Sequence, residues 1–352
     1  MRVDFTIPSA PVPKSRPRFN TNTGRAFTDD KTRIFESLVS LAYGARHYFD
    51  DNYIRIRMKF KFEVPKSYSK KKRIDALEGK IRPTKADIDN YIKSDTSRLH
   101  MPGHKGIGEI EQFDITEIKG ADSLYEADGI INKSEQNATK IFETKRTYYS
   151  TEGSSQCIKT MLCLAVSEFK RHFNSRPVIL AARNVHKAFV HAAALIDFDV
   201  EWIIPKSTNS LCSCIFTAKE LEIRLDELNE KPCAVYITSP DYLGNIANIK
   251  EISKVCKKYD IPLLVDNAHG AYLKFTGQHP IELGADMCCD SAHKTLSVLT
   301  GGAYLHIGNE VFDKNVKETL AVFGSTSPSY LIMRSLDLAN RYLSESFKQD
   351  LD

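Results

Sequence analysis

The chain has 352 residues, 42% of them hydrophobic, enough for two domains or one large one with a sizeable core. Its net charge of +4 divides unevenly: residues 1–93 carry 21 Lys/Arg against 11 Asp/Glu, and residues 94–352 carry 28 against 34. No apolar run reaches the roughly 18 residues of a membrane helix, and Met1-Arg2-Val3-Asp4 opens no signal-peptide pattern. All eight cysteines lie beyond residue 150 without a Cys-x-x-Cys pair, as expected of reduced thiols in the cytoplasm.

In chain order, residues 2–7 predict a short strand, followed by the proline-stiffened basic loop Pro11-Val12-Pro13-Lys14-Ser15-Arg16-Pro17-Arg18-Phe19. Lys31 to His47 predicts a helix, because Ile34, Leu38, Leu41, Ala42 and Ala45 recur on one face. Tyr53 to Val64 alternates apolar residues with Arg55, Arg57, Lys59 and Lys61, a half-buried strand with a basic outer face. With Lys70-Lys71-Lys72-Arg73 close behind, that face suits either a phosphate backbone or plain solvation.

Asp87 and Asp89 stand two residues apart, just ahead of Asn90 and Lys93. Such a carboxylate pair can share a Mg²⁺ ion, with a lysine to stabilise a leaving phosphate. Asp-x-Asp alone is a weak signal. Together with Pro13-Lys14-Ser15-Arg16-Pro17-Arg18-Phe19, the block of about residues 1–93 resembles the RusA-type Holliday junction resolvases, whose signatures are a Pro-Lys-x-Arg-Pro-Arg loop and an Asp-x-Asp-Asn-x-x-Lys core. The resemblance implies Asp87 and Asp89 as Mg²⁺ ligands, Lys93 as a catalytic lysine and branched DNA as the partner. That family continues into a helix and a strand bearing a further catalytic Asp, whereas Met101 to Gly108 contains no carboxylate. A partial, inactive endonuclease domain is therefore expected.

From Asp95 the character changes. A loop over Leu99–Gly106, an extended segment over Phe113–Glu117 and a helix over Asn132–Glu143 lead to Gly153-Ser154-Ser155, a turn opening a helix over Cys157–Phe173. Such a turn offers backbone N–H groups and a helix dipole to an anion, although Ser also serves as an ordinary N-cap. Strands over 177–181, 200–204, 234–238, 262–266, 287–290 and 302–307 then alternate with helices over 187–196, 218–229 and 249–259. Apolar strands spaced by amphipathic helices predict a mostly parallel sheet covered on both faces, a three-layer α/β/α domain after a small α+β fragment.

Ligands of such sheets collect at the carboxyl ends of the strands. Asn184-Val185-His186, Thr238-Ser239-Pro240, Asp266 to His269 and Ser291 to Lys294 fall there. Taken singly, Asp266 reads as a helix N-cap or a buried acid, and His186 as an ordinary core or surface histidine. A lysine right after a buried strand is unusual, because lysine is rarely buried without a partner. Jointly, the Gly-Ser-Ser turn, Asp266 and Lys294 suit pyridoxal phosphate, meeting its phosphate, pyridinium nitrogen and aldehyde carbon respectively.

Seven motifs occur in order: His100-Met101-Pro102-Gly103-His104-Lys105-Gly106, Asp114-Ile115-Thr116-Glu117-Ile118-Lys119-Gly120, Ser150-Thr151-Glu152-Gly153-Ser154-Ser155, Arg183-Asn184-Val185-His186-Lys187, Val265-Asp266-Asn267-Ala268-His269-Gly270-Ala271, Ser291-Ala292-His293-Lys294-Thr295-Leu296 and Ser325-Thr326-Ser327-Pro328-Ser329-Tyr330. Residues from about Asp95 to Asp352 thereby resemble the major domain of the Orn/Lys/Arg decarboxylases, fold-type I pyridoxal phosphate enzymes. The resemblance implies that Lys294 forms the Schiff base, Asp266 pairs with the pyridinium nitrogen and His186 stacks on the ring. It also implies that Ser154, Ser155, Ser291 and His293 hold the phosphate, with His269 flanking the ring. Ser325-Thr326-Ser327 is expected to reach the neighbouring subunit's phosphate in a homodimer. The implied reaction is decarboxylation of lysine, ornithine or arginine.

The family continues past Tyr330 into a further domain that helps close the substrate pocket, whereas this chain stops at Asp352. Cofactor binding is thus expected to survive better than turnover. The two resemblances meet within Asp89 to Asp95 without a Gly-, Ser- or Pro-rich linker, the pattern of a recombined or misassembled reading frame.

Overall fold

A computed structural model describes Arg18–Asn20, Arg25–Phe27 and residues 102–347, with gaps at 104, 106, 108–109, 119–120, 206–209, 211 and 346. The helix expected over Lys31–His47, the strand over Tyr53–Val64, and Asp87, Asp89 and Lys93 lie outside the described residues. The chain divides into two compact units, residues 1–67 and 68–352. In the first, strands β1 (Arg18–Asn20) and β2 (Arg25–Phe27) pair antiparallel, so the basic loop runs into a strand at Arg18.

In the second unit seven strands form one sheet in the order β3-β9-β8-β7-β6-β4-β5. They are β3 (Arg146–Ser150), β4 (Val178–Ala182), β5 (Asp199–Ile203), β6 (Ala234–Thr238), β7 (Leu263–Asp266), β8 (Met287–Asp290) and β9 (Ala303–Ile307). Strands β4 to β8 are parallel, whereas β9 runs antiparallel to both β8 and β3. Val235, Leu264, Val265, Met287 and Cys288 are all fully buried, the unbroken apolar reading of strands covered on both faces. Edge strand β5 is less buried, with Asp199 and Trp202 exposed.

Helices α1 (Ile130–Phe142), α2 (Ser154–His172), α3 (Lys187–Ile196), α4 (Ala218–Asp226), α5 (Ile249–Lys258), α6 (Ala292–Thr295), α7 (Val316–Phe323) and α8 (Tyr330–Glu345) complete the layers. Met161 and Leu162 of α2 and Phe189 of α3 pack on one face of the sheet, Leu221 of α4 and Ile252 of α5 on the other. Thr217 and Glu220 form a capping box at the start of α4, and Asn248 caps α5. The three-layer α/β fold is as expected, and most element boundaries move by one to three residues. Two expectations change. Phe113, expected to begin an extended segment, instead closes a 3-10 turn over Glu111–Phe113, with Asp114 extended after it, and β3, α6 and α7 are additions.

Among the described residues, strand β3 is an outer edge whose N–H groups have no further strand to meet. Helix α1 supplies side chains in place of one. The Thr147 N–H donates to Thr139 Oγ1 at 2.9 Å, and the Tyr149 N–H donates to Glu135 Oε1 at 2.9 Å. Four helical residues rise about 6 Å and two strand residues about 6.8 Å, so the two acceptors match the two donors in pitch. Glu135 is fully buried, and Lys317 of α7 donates to it at 2.5 Å and to the Leu124 carbonyl at 2.7 Å. Burial pushes the Glu135 carboxyl up, and the Lys317 charge opposes it. Removing one partner of a buried pair leaves an uncompensated charge. Lys317→Met should therefore lower stability by about 3–5 kcal/mol, with Glu135→Gln added to it restoring part of the loss. Urea unfolding of the single and double variants measures both.

Candidate active site

Because β3 to β8 share one direction and β9 enters where they leave, six connections open on one edge of the sheet. Five of them carry Thr151–Ser155, Asn184–His186, Thr238–Asp241, Asp266–His269 and, within the single β8–β9 connection, both Ser291–Lys294 and Gly301–Gly302. Two of the connections, Asp266–His269 and Ser291–Lys294, leave neighbouring strands β7 and β8.

Asp266 ends β7 and is 2% exposed. Its carboxylate accepts the Tyr236 hydroxyl at 3.3 Å, the Ala268 N–H at 3.2 Å and, weakly, the Cys289 thiol at 3.7 Å. These are long, neutral donors for a buried anion. Burial accordingly pushes the Asp266 carboxyl above its ordinary value, against the Ala268 N–H and the charges of His186 and Lys294.

Lys294 lies on α6, the short turn after β8, and is exposed rather than buried. The strand ends at Asp290, and the turn then carries Lys294 out to the mouth of the edge. Its Nζ donates to His269 Nε2 at 3.1 Å. Burial, with the Lys294 charge adding to it, pushes the His269 imidazole below its ordinary value. His186 caps α3, its Nδ1 accepting the Ala188 N–H at 3.2 Å, and burial lowers its imidazole too.

At the head of α2, Gly153 adopts φ +71°, a left-handed conformation that glycine takes readily, and its N–H donates to the Gly301 carbonyl at 2.7 Å. Gly301 itself has φ +99°, and a Cβ there would lie 2.7 Å from the Thr151 carbonyl. This close approach holds the turn against the start of β9. The Ser154 and Ser291 hydroxyls meet at 2.8 Å, both buried. His293 Nδ1 donates to the Gly302 carbonyl at 3.0 Å, and its Cε1 lies 3.9 Å from where a Cβ on Gly153 would sit. Ser155 is half-buried in the first turn of α2. The expected anion residues Ser154, Ser291 and His293 are thus brought together. Ser325-Thr326-Ser327 is an exposed turn between α7 and α8, with the Ser325 hydroxyl accepting the Ser327 N–H at 3.1 Å. Among the described residues no hydrogen bond joins it to Ser154 or Ser291.

Buried oxygens of residues already named at these exits and in these motifs stand unpaired. Thr151 Oγ1, Asn184 Oδ1, Thr238 Oγ1 and Thr295 Oγ1 are buried at these strand exits without a hydrogen-bond partner. Asp290, the last residue of β8, is absent from the sequence reading. It collects His279, His306 and Asn267 in the core. The signal was present, since Asp290 ends an apolar strand as Asp266 does.

The sequence model described as Orn/Lys/Arg decarboxylase, major domain, matches residues 104–351, and that described as Endodeoxyribonuclease RusA matches residues 8–98. The arginine decarboxylase of Bacillus subtilis (strain 168) is 30% identical over 285 residues, covering 76% of this chain and 56% of its own length. The uncharacterized protein YaaO of the same organism is 30% identical over 277 residues, covering 74% and 56%. Among solved structures, the Escherichia coli constitutive lysine decarboxylase aligns with a TM-score of 0.60 at 22% identity, over 85% of this chain and 47% of that one. The chain spans a little over half the length of these curated relatives. A shared fold and a sequence match over 104–351 agree on one ancestry: the chain belongs to the Orn/Lys/Arg decarboxylase family.

Proposed function

We propose that residues 94–352 form a pyridoxal phosphate-dependent decarboxylase of a basic amino acid (lysine, ornithine or arginine), working as a homodimer in the cytoplasm. The observation that carries this reading is the placement of Asp266 and Lys294 on adjacent strand exits, beside the Ser154–Ser291 pair at the head of α2. The residues present fit the cofactor. Asp266 is a buried acid in want of a strong donor, four buried oxygens nearby lack partners, and the first N–H groups of α2 have no helical acceptor.

When bound, pyridoxal phosphate supplies the electron sink for the pair left at Cα as CO₂ departs. The chain's residues do the rest. Ser154, Ser155, Ser291 and His293 hold the phosphate, with the α2 dipole favouring its charge. Asp266 keeps a proton on the pyridine nitrogen by presenting a carboxylate in an apolar surround. His269 accepts a hydrogen bond from Lys294 Nζ at Nε2 and so orients that amine at the mouth of the edge. His186, anchored by the Ala188 N–H, orients the ring face.

For residues 1–93, matched over 8–98 by the RusA model, we propose branched-DNA binding by the basic block, with Asp87 and Asp89 as Mg²⁺ ligands and Lys93 beside them.

Pyridoxal phosphate added to the purified protein should give a visible absorption band that borohydride traps, and Lys294→Ala should abolish it. No band in the wild type would reject the reading. Asp266→Asn should keep the band and lower decarboxylation of the preferred amino acid by roughly 10²–10³-fold, the scale of one lost charge-stabilising contact. A four-way DNA junction should bind at low salt and be released steeply as salt rises, as phosphate contacts require. Salt-independent binding, or none in a gel shift, would remove the DNA function.

A further inference from the structure

Asp290 is fully buried, and by strand alternation it faces away from Cys289, the neighbour that touches Asp266. Its Oδ1 accepts Asn267 Nδ2 at 2.6 Å, and its Oδ2 accepts Nε2 of His279 and of His306, each at 3.2 Å. All three donors are fully buried as well. Asn267 is the residue directly after Asp266, and Asp290 the one directly before Ser291. The chain of bonds extends further, since His306 Nδ1 meets Thr147 Oγ1 of β3 at 2.9 Å. One carboxylate therefore ties together the exits of β7 and β8 and, through β9, the strand that leads to Gly153.

We infer that Asp290 is a positioning residue that fixes the spacing between Asp266, at one end of the cofactor cradle, and the phosphate-holding Ser291 and His293, at the other. It touches neither cofactor nor substrate. This role rests on the pyridoxal phosphate reading of the same strand edge. A loosened spacing would penalise a ligand that engages both ends more than one that engages a single end. His279, Cys288 and Asp290 also bring nitrogen, sulfur and oxygen atoms within 4.8 Å of one another, a set that zinc could use. The brace accounts for the cluster without an ion. Oδ2 already takes two imidazole N–H groups.

The test uses Asp290→Asn, which keeps the shape but replaces an acceptor oxygen with a donor, and Asn267→Ala, which removes one arm and leaves the histidines in place. Spectroscopic titration compares pyridoxal phosphate with pyridoxal, which lacks the phosphate. The expected result is a loss of about 10- to 100-fold in pyridoxal phosphate affinity, the scale of a charge-assisted hydrogen bond, with pyridoxal affinity little changed. Hydrogen exchange of the cofactor-free protein should quicken at residues 266–270 and 291–296 and stay unchanged in β4. Equal losses for both ligands, no loss for either, or faster exchange across the whole sheet would overturn the brace. So would one zinc per chain in the purified protein that disappears in Cys288→Ser. If the wild type binds no pyridoxal phosphate, the cofactor reading fails, and the exchange pattern still decides the brace.

Discussion

Two aspartates, Asp266 and Asp290, end adjacent parallel strands inside the apolar core, and accommodating their charge organises this edge of the molecule. A buried carboxylate is costly unless hydrogen-bonded or paired. The two reach opposite outcomes from the same sequence position. Asp290 is satisfied internally: burial opposes its ionisation, but His279 and His306 with their hydrogen bonds overcome it and hold its carboxyl well below the ordinary range. Asp266 receives a hydroxyl, a thiol and one N–H, all neutral, and burial keeps its carboxyl raised. The satisfied acid belongs to the scaffold. Under the proposed function, the unsatisfied one meets a ligand that brings its own positive charge.

The geometry between them depends on the outer strands. β9 returns antiparallel and delivers Gly301 and Gly302 to the same edge, where their carbonyls receive Gly153 and His293. β3 in turn is held from outside by Thr139 and Glu135, and Glu135 by Lys317. The strand that leads into the head of α2 is therefore braced along its outer edge by a buried ion pair, which connects the α1–α7 contact to the turn at Gly153.

Much of this was legible in the sequence, and the parts that were not share a physical cause. Strands β6, β7 and β8 and helices α3 and α5 stand out because unbroken apolar runs and helical spacing report burial directly. Strand β3, Arg146-Thr147-Tyr148-Tyr149-Ser150, has neither pattern, and what makes it a strand is its pairing with β9, some 150 residues on. The proposed cofactor residues Asp266 and Lys294 stand out because they sit in compact local motifs. The partners of Asp290 lie 11, 16 and 23 residues from it and obey no spacing, since a hydrogen bond across strands is set by register. The exposure of Lys294 was hidden for a related reason, because where a strand stops depends on its neighbours.

That exposure bears on how the site would work. Tyr242 and Leu243 beyond β6 and Leu299 beyond β8 are large apolar side chains left in water at the same edge. The Tyr242 ring packs edge-on against His269, with centroids 6.0 Å apart, so this uncovered surface reaches the residue that holds Lys294. In the proposed homodimer a second copy laid over this edge would bury them and exclude water from the Lys294–His269 pair. Exclusion of water strengthens each electrostatic contact that Asp266, His269 and the α2 turn make with the cofactor. Assembly and cofactor capture would then reinforce each other, because each removes water from the same strand exits.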